Sequence, residues 1–247
     1  MDLAGAWDST CKTIFGQSLG PLSQFEPYLK EALVGQPALS VFSKRPVWVT
    51  SPHFDAAGRF FDYANELPQY DKLNAPLDVN QLKDIDSVVE AVQERLVYAG
   101  NKVMGRSQMV EHSDNITDSL DVQHSVLIVR SQHMAYCSFM LGGEYCFGCT
   151  DFTNQPTALI RCFYGNSTKR SFECAYPVSS SDCLFCYNIE GCNDCLFTFS
   201  EKNKRNMIGN VQLAPDAYKR LKAKLVGEIA QELASKKRYP LSITDML

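Results

Sequence analysis

The sequence predicts an α+β protein with a mostly helical N-terminal region, a short right-handed parallel β-helix and a C-terminal capping helix. Three observations carry this. Nine of the ten cysteines fall between positions 137 and 195. They lie in short β-like runs bounded by Ser, Asn, Asp, Gly or Lys. Amphipathic helical spacing appears before that block and again after it.

Within the first hundred residues, Gln24 to Val34 reads as a short amphipathic helix with Pro27 near its start. Leu39 to Thr50 is β-rich, and Pro46 makes it an edge strand or a loop. Phe54 to Leu67 reads as helical. From Asp84, the residues Ile85, Val88, Val89, Val92, Leu96 and Val97 recur at helical spacing, with Gly100 and Asn101 as the stop.

From Ser113 the chain becomes a stack of short strand-like segments. Ile128 to Cys137, Cys137 to Cys146, Cys174 to Cys183, Cys183 to Cys192 and Cys186 to Cys195 are all nine-residue steps. Cys149 to Cys162 is longer, with Asn154 to Thr157 as an extended turn. Two such units predict a coil of roughly 18 to 25 residues. A lone strand cannot bury its inward face, whereas stacked coils place like over like. Cysteine is small, apolar and suited to a narrow interior, and Asn, Ser and Asp suit the corners. After Val211, Tyr218, Leu221, Leu225, Ile229 and Leu233 form one apolar stripe, read as a cap over the open end of the coils. The chain therefore divides into 1–107, 108–213 and 214–247.

Composition narrows the function classes. The 247 residues are 45% hydrophobic and 21% charged with net charge −4, an ordinary soluble balance that argues against a phosphate-binding surface. The one basic run, Lys202, Lys204 and Arg205, reads as a solvated loop. No stretch approaches the ~20 apolar residues of a membrane span. The start lacks a basic region and carries Asp2 and Asp8, so a cytoplasmic location with reduced thiols is expected.

The run SDCLFCYNIEGCNDCLFTFSEKNKRNMIGNVQL, followed by a proline and an amphipathic helix, resembles a family of uncharacterised, mostly prokaryotic proteins with Cys/Asn-rich β-helix repeats. EYCFGCTDF looks like the same unit. The repeats also resemble, more weakly, the β-helical domains of tubulin-folding cofactor C and cyclase-associated proteins. The family's frequent N-terminal cysteine-rich module is missing, as only Cys11 stands there. The resemblance implies a fold and no activity.

Several constellations compete for chemistry. Cys183, Cys186, Cys192 and Cys195 form two C-x-x-C pairs, which could hold zinc or an Fe–S cluster. Against this, i and i+3 on an extended strand face opposite sides, and Leu and Phe fill the first pair. Cys146 and Cys149 pose the same choice. The histidines are His53, His112, His124 and His133; the last two are nine apart and read as lining one surface. Asp114, Asp118 and Asp121 could mimic the clustered carboxylates of sugar-cleaving β-helices. Arg130 and Arg161 could project from the coils and form salt bridges or bind an anion. No phosphate loop or nucleophile elbow is present. The expectation is a non-catalytic structural or protein-interaction scaffold, docking protein partners or a second copy. A cysteine-ligated metal protein and a carbohydrate enzyme are the alternatives. Free, buried cysteines without a cofactor go with the first reading. There, a buried hydroxyl in place of a cysteine would lack a partner.

Overall fold

A computed structural model describes residues 1–50, 58–148, 150–153, 157–161 and 163–246. From Val103 the chain winds into a parallel β-solenoid of about eight coils. The helical N-terminal region and the C-terminal helix flank it, as the sequence predicts.

The coil is smaller than expected. Ile116 pairs with Ile128 and Phe172 with Leu184; Cys183 pairs with Cys195 and Cys195 with Met207, so one coil is twelve residues. Two steps are thirteen, Val103 to Ile116 in the first coil and Cys146 to Leu159. In the second, Leu141 still pairs with Thr153, so the extra residue falls between Thr153 and Thr157, where the sequence marks a longer turn. Each coil repeats internally every three residues: inward, outward, corner. Corner residues adopt left-handed backbone, with φ of 47° at Asp118, 55° at Asp121, 45° at His124, 57° at Leu127 and 49° at Arg130. Four such corners close a square of twelve. Asn, Asp, His and Gly tolerate this conformation best, which explains the polar punctuation of the repeats. Nine residues therefore advance three sides of the square and do not complete a turn.

Among the described residues the inward positions include Ile116, Val122, Ile128, Met134, Met140 and the coil cysteines Cys137, Cys146, Cys174, Cys183, Cys186, Cys192 and Cys195, all fully buried. Inward Ser, Thr and Cys also satisfy the backbone at the corners. Ser125 Oγ donates to the Gln123 carbonyl at 2.8 Å and accepts from the Cys137 amide at 3.1 Å. Cys137 Sγ donates to the carbonyls of Ala135, at 3.3 Å, and of Cys146, at 3.1 Å. The nine-residue rhythm of the cysteines is the spacing of this second bond.

That geometry reverses the expectation for buried hydroxyls. Cys174 Sγ meets the Phe172 and Cys183 carbonyls at 3.4 and 3.3 Å. Two coils on, Thr198 Oγ1 makes the matching bonds to Leu196 and Met207 at 3.2 and 3.5 Å. A hydroxyl at this position is thus partnered. Cys174→Thr is expected to be more stable than the isosteric Cys174→Val by about 0.5–1.5 kcal/mol, one hydrogen bond's worth. Urea midpoints of the two variants measure this, and a higher midpoint for valine would contradict it.

One outer side of the solenoid carries a continuous apolar row: Ala135, Phe147, Ile160, Phe172, Leu184 and Leu196. Two helices lie along it. Helix α1 (Leu3–Phe15), where the sequence reading placed no element, is capped by Asp2 and ended by Gly16 with φ 75°. Its Trp7 meets Phe147 edge-on at 5.2 Å, and Phe15 meets Phe172 at 5.1 Å. The long C-terminal helix (Pro215–Lys236) buries Tyr218, Val226, Ile229, Ala230 and Leu233 in the same core. It lies beside α1 and against the last coil strand, Arg205–Ile208, where the sequence places a cap. Leu221 of the expected stripe is 38% exposed. Among the described residues no helix is long and apolar enough to cross a membrane.

Other N-terminal expectations change too. The helix expected from Gln24 is broken into single turns around a short α2 (Glu26–Leu29), with Pro27 in its first turn. β1 (Gln36–Leu39) and β2 (Pro46–Val49) form an antiparallel pair, so Pro46 does start an edge strand. Residues 51–57, with His53 and most of the first half of the helix expected from Phe54, are outside the described residues. Phe60–Asp62 is strand β3, and helix α3 (Tyr63–Leu73) begins only after the Asp62 cap. Helix α4 (Ile85–Gln93) is closed at its start by an Asp84 capping box and ends well short of Gly100. Tyr98–Gly100 is instead strand β4, parallel to β3. Arg59, which donates to the Gln93 and Glu94 carbonyls, takes the exposed C-terminal groups of α4.

A buried ionic clasp joins three distant segments. Glu173 is fully buried. It accepts from the Tyr28 hydroxyl at 2.6 Å, Ser242 Oγ at 2.8 Å and the Ile243 amide at 2.9 Å. Arg161 Nε lies 3.0 Å from the same carboxylate, an ion-pair contact without hydrogen-bond alignment. Its Nη1 reaches the Tyr28 carbonyl and Glu31, and the guanidinium stacks 4.2 Å from the Tyr28 ring centroid. Burial pushes the Glu173 carboxyl up, against the pull of Arg161. Gly148, with φ 72°, lets this N-terminal segment approach, since a Cβ there would lie 2.9 Å from the Leu29 carbonyl oxygen.

Candidate functional site

The described cysteines of the two C-x-x-C pairs all point into the solenoid. Cys183 stacks on Cys195 one coil apart, while Cys186 and Cys192 project from other sides of the square. Each thiol meets backbone carbonyls, for example Cys186 to Leu184 and Cys195 at 3.4 and 3.3 Å. The Cys183 thiol is pushed up by its contact with Cys186 and by burial, and Cys186 chiefly by burial. Protonated thiols donate hydrogen bonds, whereas a metal needs thiolates. Cys11 in α1 is likewise pushed up to about 12 by burial. Among the described residues no three His, Cys, Asp or Glu side chains are grouped to hold a metal ion. Cys149 and Cys162 lie outside the described residues.

The twelve-residue coil also re-sorts the polar candidates. His124 and His133, nine apart, fall on different corners. Each instead meets a residue twelve away. His133 Nδ1 lies 3.0 Å from Asp121 Oδ2, and its ring stacks on Tyr145 at 5.6 Å. Among the described residues no hydroxyl or thiol is hydrogen-bonded to His133, so this dyad has no nucleophile to activate. Asp114 accepts from the Thr50 amide and hydroxyl and from the Lys102 amide, and Asp118 from the Arg106 amide. Asp114 and Asp118 thus tie loops down separately, while Asp121 pairs with His133. Arg130 is exposed at one corner, while Arg161 is buried in the clasp.

The densest unusual cluster lies at the early coils. His112, His124 and Tyr136 stack as a ladder with centroids 4.8 and 5.5 Å apart, and Trp48 meets His124 edge-on at 5.7 Å. Lys30, paired with Glu26, places its ammonium 6.0 Å from the Trp48 ring and 5.7 Å from Tyr136. Burial, then Lys30 and His112, hold His124 below its ordinary pKa, and its Nδ1 has no hydrogen-bond partner. A neutral His124 suits a stacked ladder beside a cation. The folded state resists a proton that the unfolded chain accepts, so stability is expected to fall as pH drops through about 6.5 and below. His124→Tyr, which extends the Tyr136 pattern, should give a shallower decline in melting temperature between pH 7 and pH 5. An unchanged slope would remove His124 from this role.

Compared with protein-family models, with curated proteins and with solved structures, the chain matches none.

Proposed function

We propose that the protein is a non-catalytic interaction scaffold that docks a protein partner on the open first coil of its solenoid. The single observation that carries this is the asymmetry of the two ends. The first coil supplies β5 (Val103–Met104) and β6 (Gln108–Glu111), each with a strand partner on one side only. Val103, Met104 and Met109 are 38%, 40% and 63% exposed, although Ile116, directly beneath Val103, is fully buried. At the other end the last strand, Arg205–Ile208, is covered by the antiparallel Val211–Gln212. Unpaired apolar strand edges are normally blocked, and they recruit extended segments by strand addition.

The test uses the full chain as bait, then purifies the captured chain and measures affinity between the two isolated components. The double variant Met104→Lys/Met109→Lys should weaken binding at least tenfold, and amides 103–111 should exchange more slowly in the complex. Unchanged affinity with an unprotected first coil would contradict the reading. So would the absence of any partner, including a second copy by sedimentation.

A further inference from the structure

A second, separate feature lies in the N-terminal region. Between α3 and α4, above β3 and β4, is a cavity of about 650 Å³, within the size range of small-molecule sites. Its wall is apolar and aromatic. Phe61 and Tyr70 stack at 4.5 Å with their rings 7° from parallel, and Leu73 and Leu96 complete the lining. The rim leaves apolar surface in water: Leu67 is 38%, Val92 38%, Tyr98 44% and Leu96 54% exposed. An amphipathic helix normally buries such a stripe, yet Ala91 is the only fully buried side chain of α4.

Two cations reach this wall, and they differ. Lys102 is neutralised by Asp114 at 3.2 Å and donates to the Ala99 carbonyl. Arg95 forms no ion pair with a carboxylate among the described residues; its Nη1 donates to the Ala75 carbonyl. A half-buried guanidinium without a counter-charge, set into an apolar wall, is complementary to a planar anion on an apolar body.

We infer that this cavity binds a small amphiphilic anion, an aliphatic carboxylate whose chain packs on Phe61, Tyr70 and Leu96 and whose head meets Arg95. The apolar body would gain by leaving water, and the carboxylate would accept from the guanidinium donors not used by Ala75. This site is separate from the first coil and does not depend on the docking proposal.

Isothermal titration of the full chain with decanoate, below its micellar concentration, tests it. The comparison ligands are decanol, which lacks the charge, decyltrimethylammonium, which reverses it, and decyl phosphate, which keeps it on another head. Saturable one-to-one binding of decanoate is expected, at least tenfold tighter than decanol, with no binding of the cation. Decyl phosphate bound more tightly than decanoate would assign the head to a phosphate and overturn the carboxylate. Arg95→Gln should weaken decanoate at least tenfold while leaving decanol unchanged, with an unaltered melting temperature showing that the variant is folded. Leu96→Asp, a second variant on the exposed rim, should weaken both ligands. Failure of the wild type to bind decanoate, equal affinity for decanol, or undiminished binding by Arg95→Gln would each overturn the inference.

Discussion

Replacing Arg161 by Ala is expected to destabilise the protein by about 3–5 kcal/mol, the cost of leaving one partner of a buried ion pair alone. The remaining Glu173 carboxylate is fully buried and would keep only neutral donors, Tyr28, Ser242 and the Ile243 amide. The effect should spread beyond the coil that carries it. Tyr28 lies in α2 and Ile243 in the C-terminal tail, so both segments should loosen from the solenoid together. For a chain of this size that loss corresponds to a fall of about 10 °C in melting temperature. Amide exchange should accelerate at residues 26–32 and 242–245. The double variant Arg161→Met/Glu173→Leu removes both charges and should recover much of the loss, because apolar pairs of similar volume often replace buried ion pairs well. A single variant that melts within a degree or two of the wild type would show that the clasp is incidental to the fold.

Removing the C-terminal helix should have a still larger effect. A chain truncated after Leu213 loses Tyr218, Val226, Ile229, Ala230 and Leu233 from the shared core. Burying those side chains contributes on the order of 6–10 kcal/mol before ordering costs, comparable with the whole net stability of a domain. What the truncation bares is Phe172, Phe185, Leu184 and Leu196 along one side, together with the far face of α1. The truncated chain should aggregate through this flank, and a hydrophobic dye should report it. Tyr218→Asp and Leu233→Asp, both at buried positions, should be severe, and Leu221→Asp, at a 38% exposed position, should be mild. A soluble truncated chain with wild-type heat stability would contradict the arrangement.

Much of this fold is legible in the sequence. The cysteine rhythm and polar punctuation between 113 and 211 announce stacked strands. The helix from Pro215 is evident from its apolar spacing. What misled was the period. Nine residues is a real recurrence, but it measures a thiol's reach to the next coil's carbonyl, as from Cys137 to Cys146 and from Cys186 to Cys195. The true period, twelve, is written in residues of mixed type: Ile116, Ile128 and Met140, or Ser113, Ser125 and Cys137. Left-handed corners at Leu127, Arg130 and Phe185 defeat local propensity, because bulky residues rarely adopt that backbone. Helix α1 was hidden for another reason. Its buried set, Leu3, Ala6, Trp7, Thr10, Cys11, Ile14 and Phe15, includes small and polar residues that only close packing explains. The clasp could not be read at all, since Tyr28, Arg161, Glu173 and Ser242 are joined only by the fold.

The square twelve-residue coil underlies every placement above, and its axial rise tests it most directly. Arg130 and Asn203 are exposed residues on the same corner, and counting by the strand register puts them six coils apart. With about 4.8 Å between neighbouring strands, spin labels at Arg130→Cys and Asn203→Cys should be separated by about 29 Å along the axis. Pulsed electron spin resonance reads that distance. Coils of about 22 residues would place the same two positions only about 16 Å apart. A distribution centred near 30 Å supports the twelve-residue square, and one centred near 16 Å would contradict it.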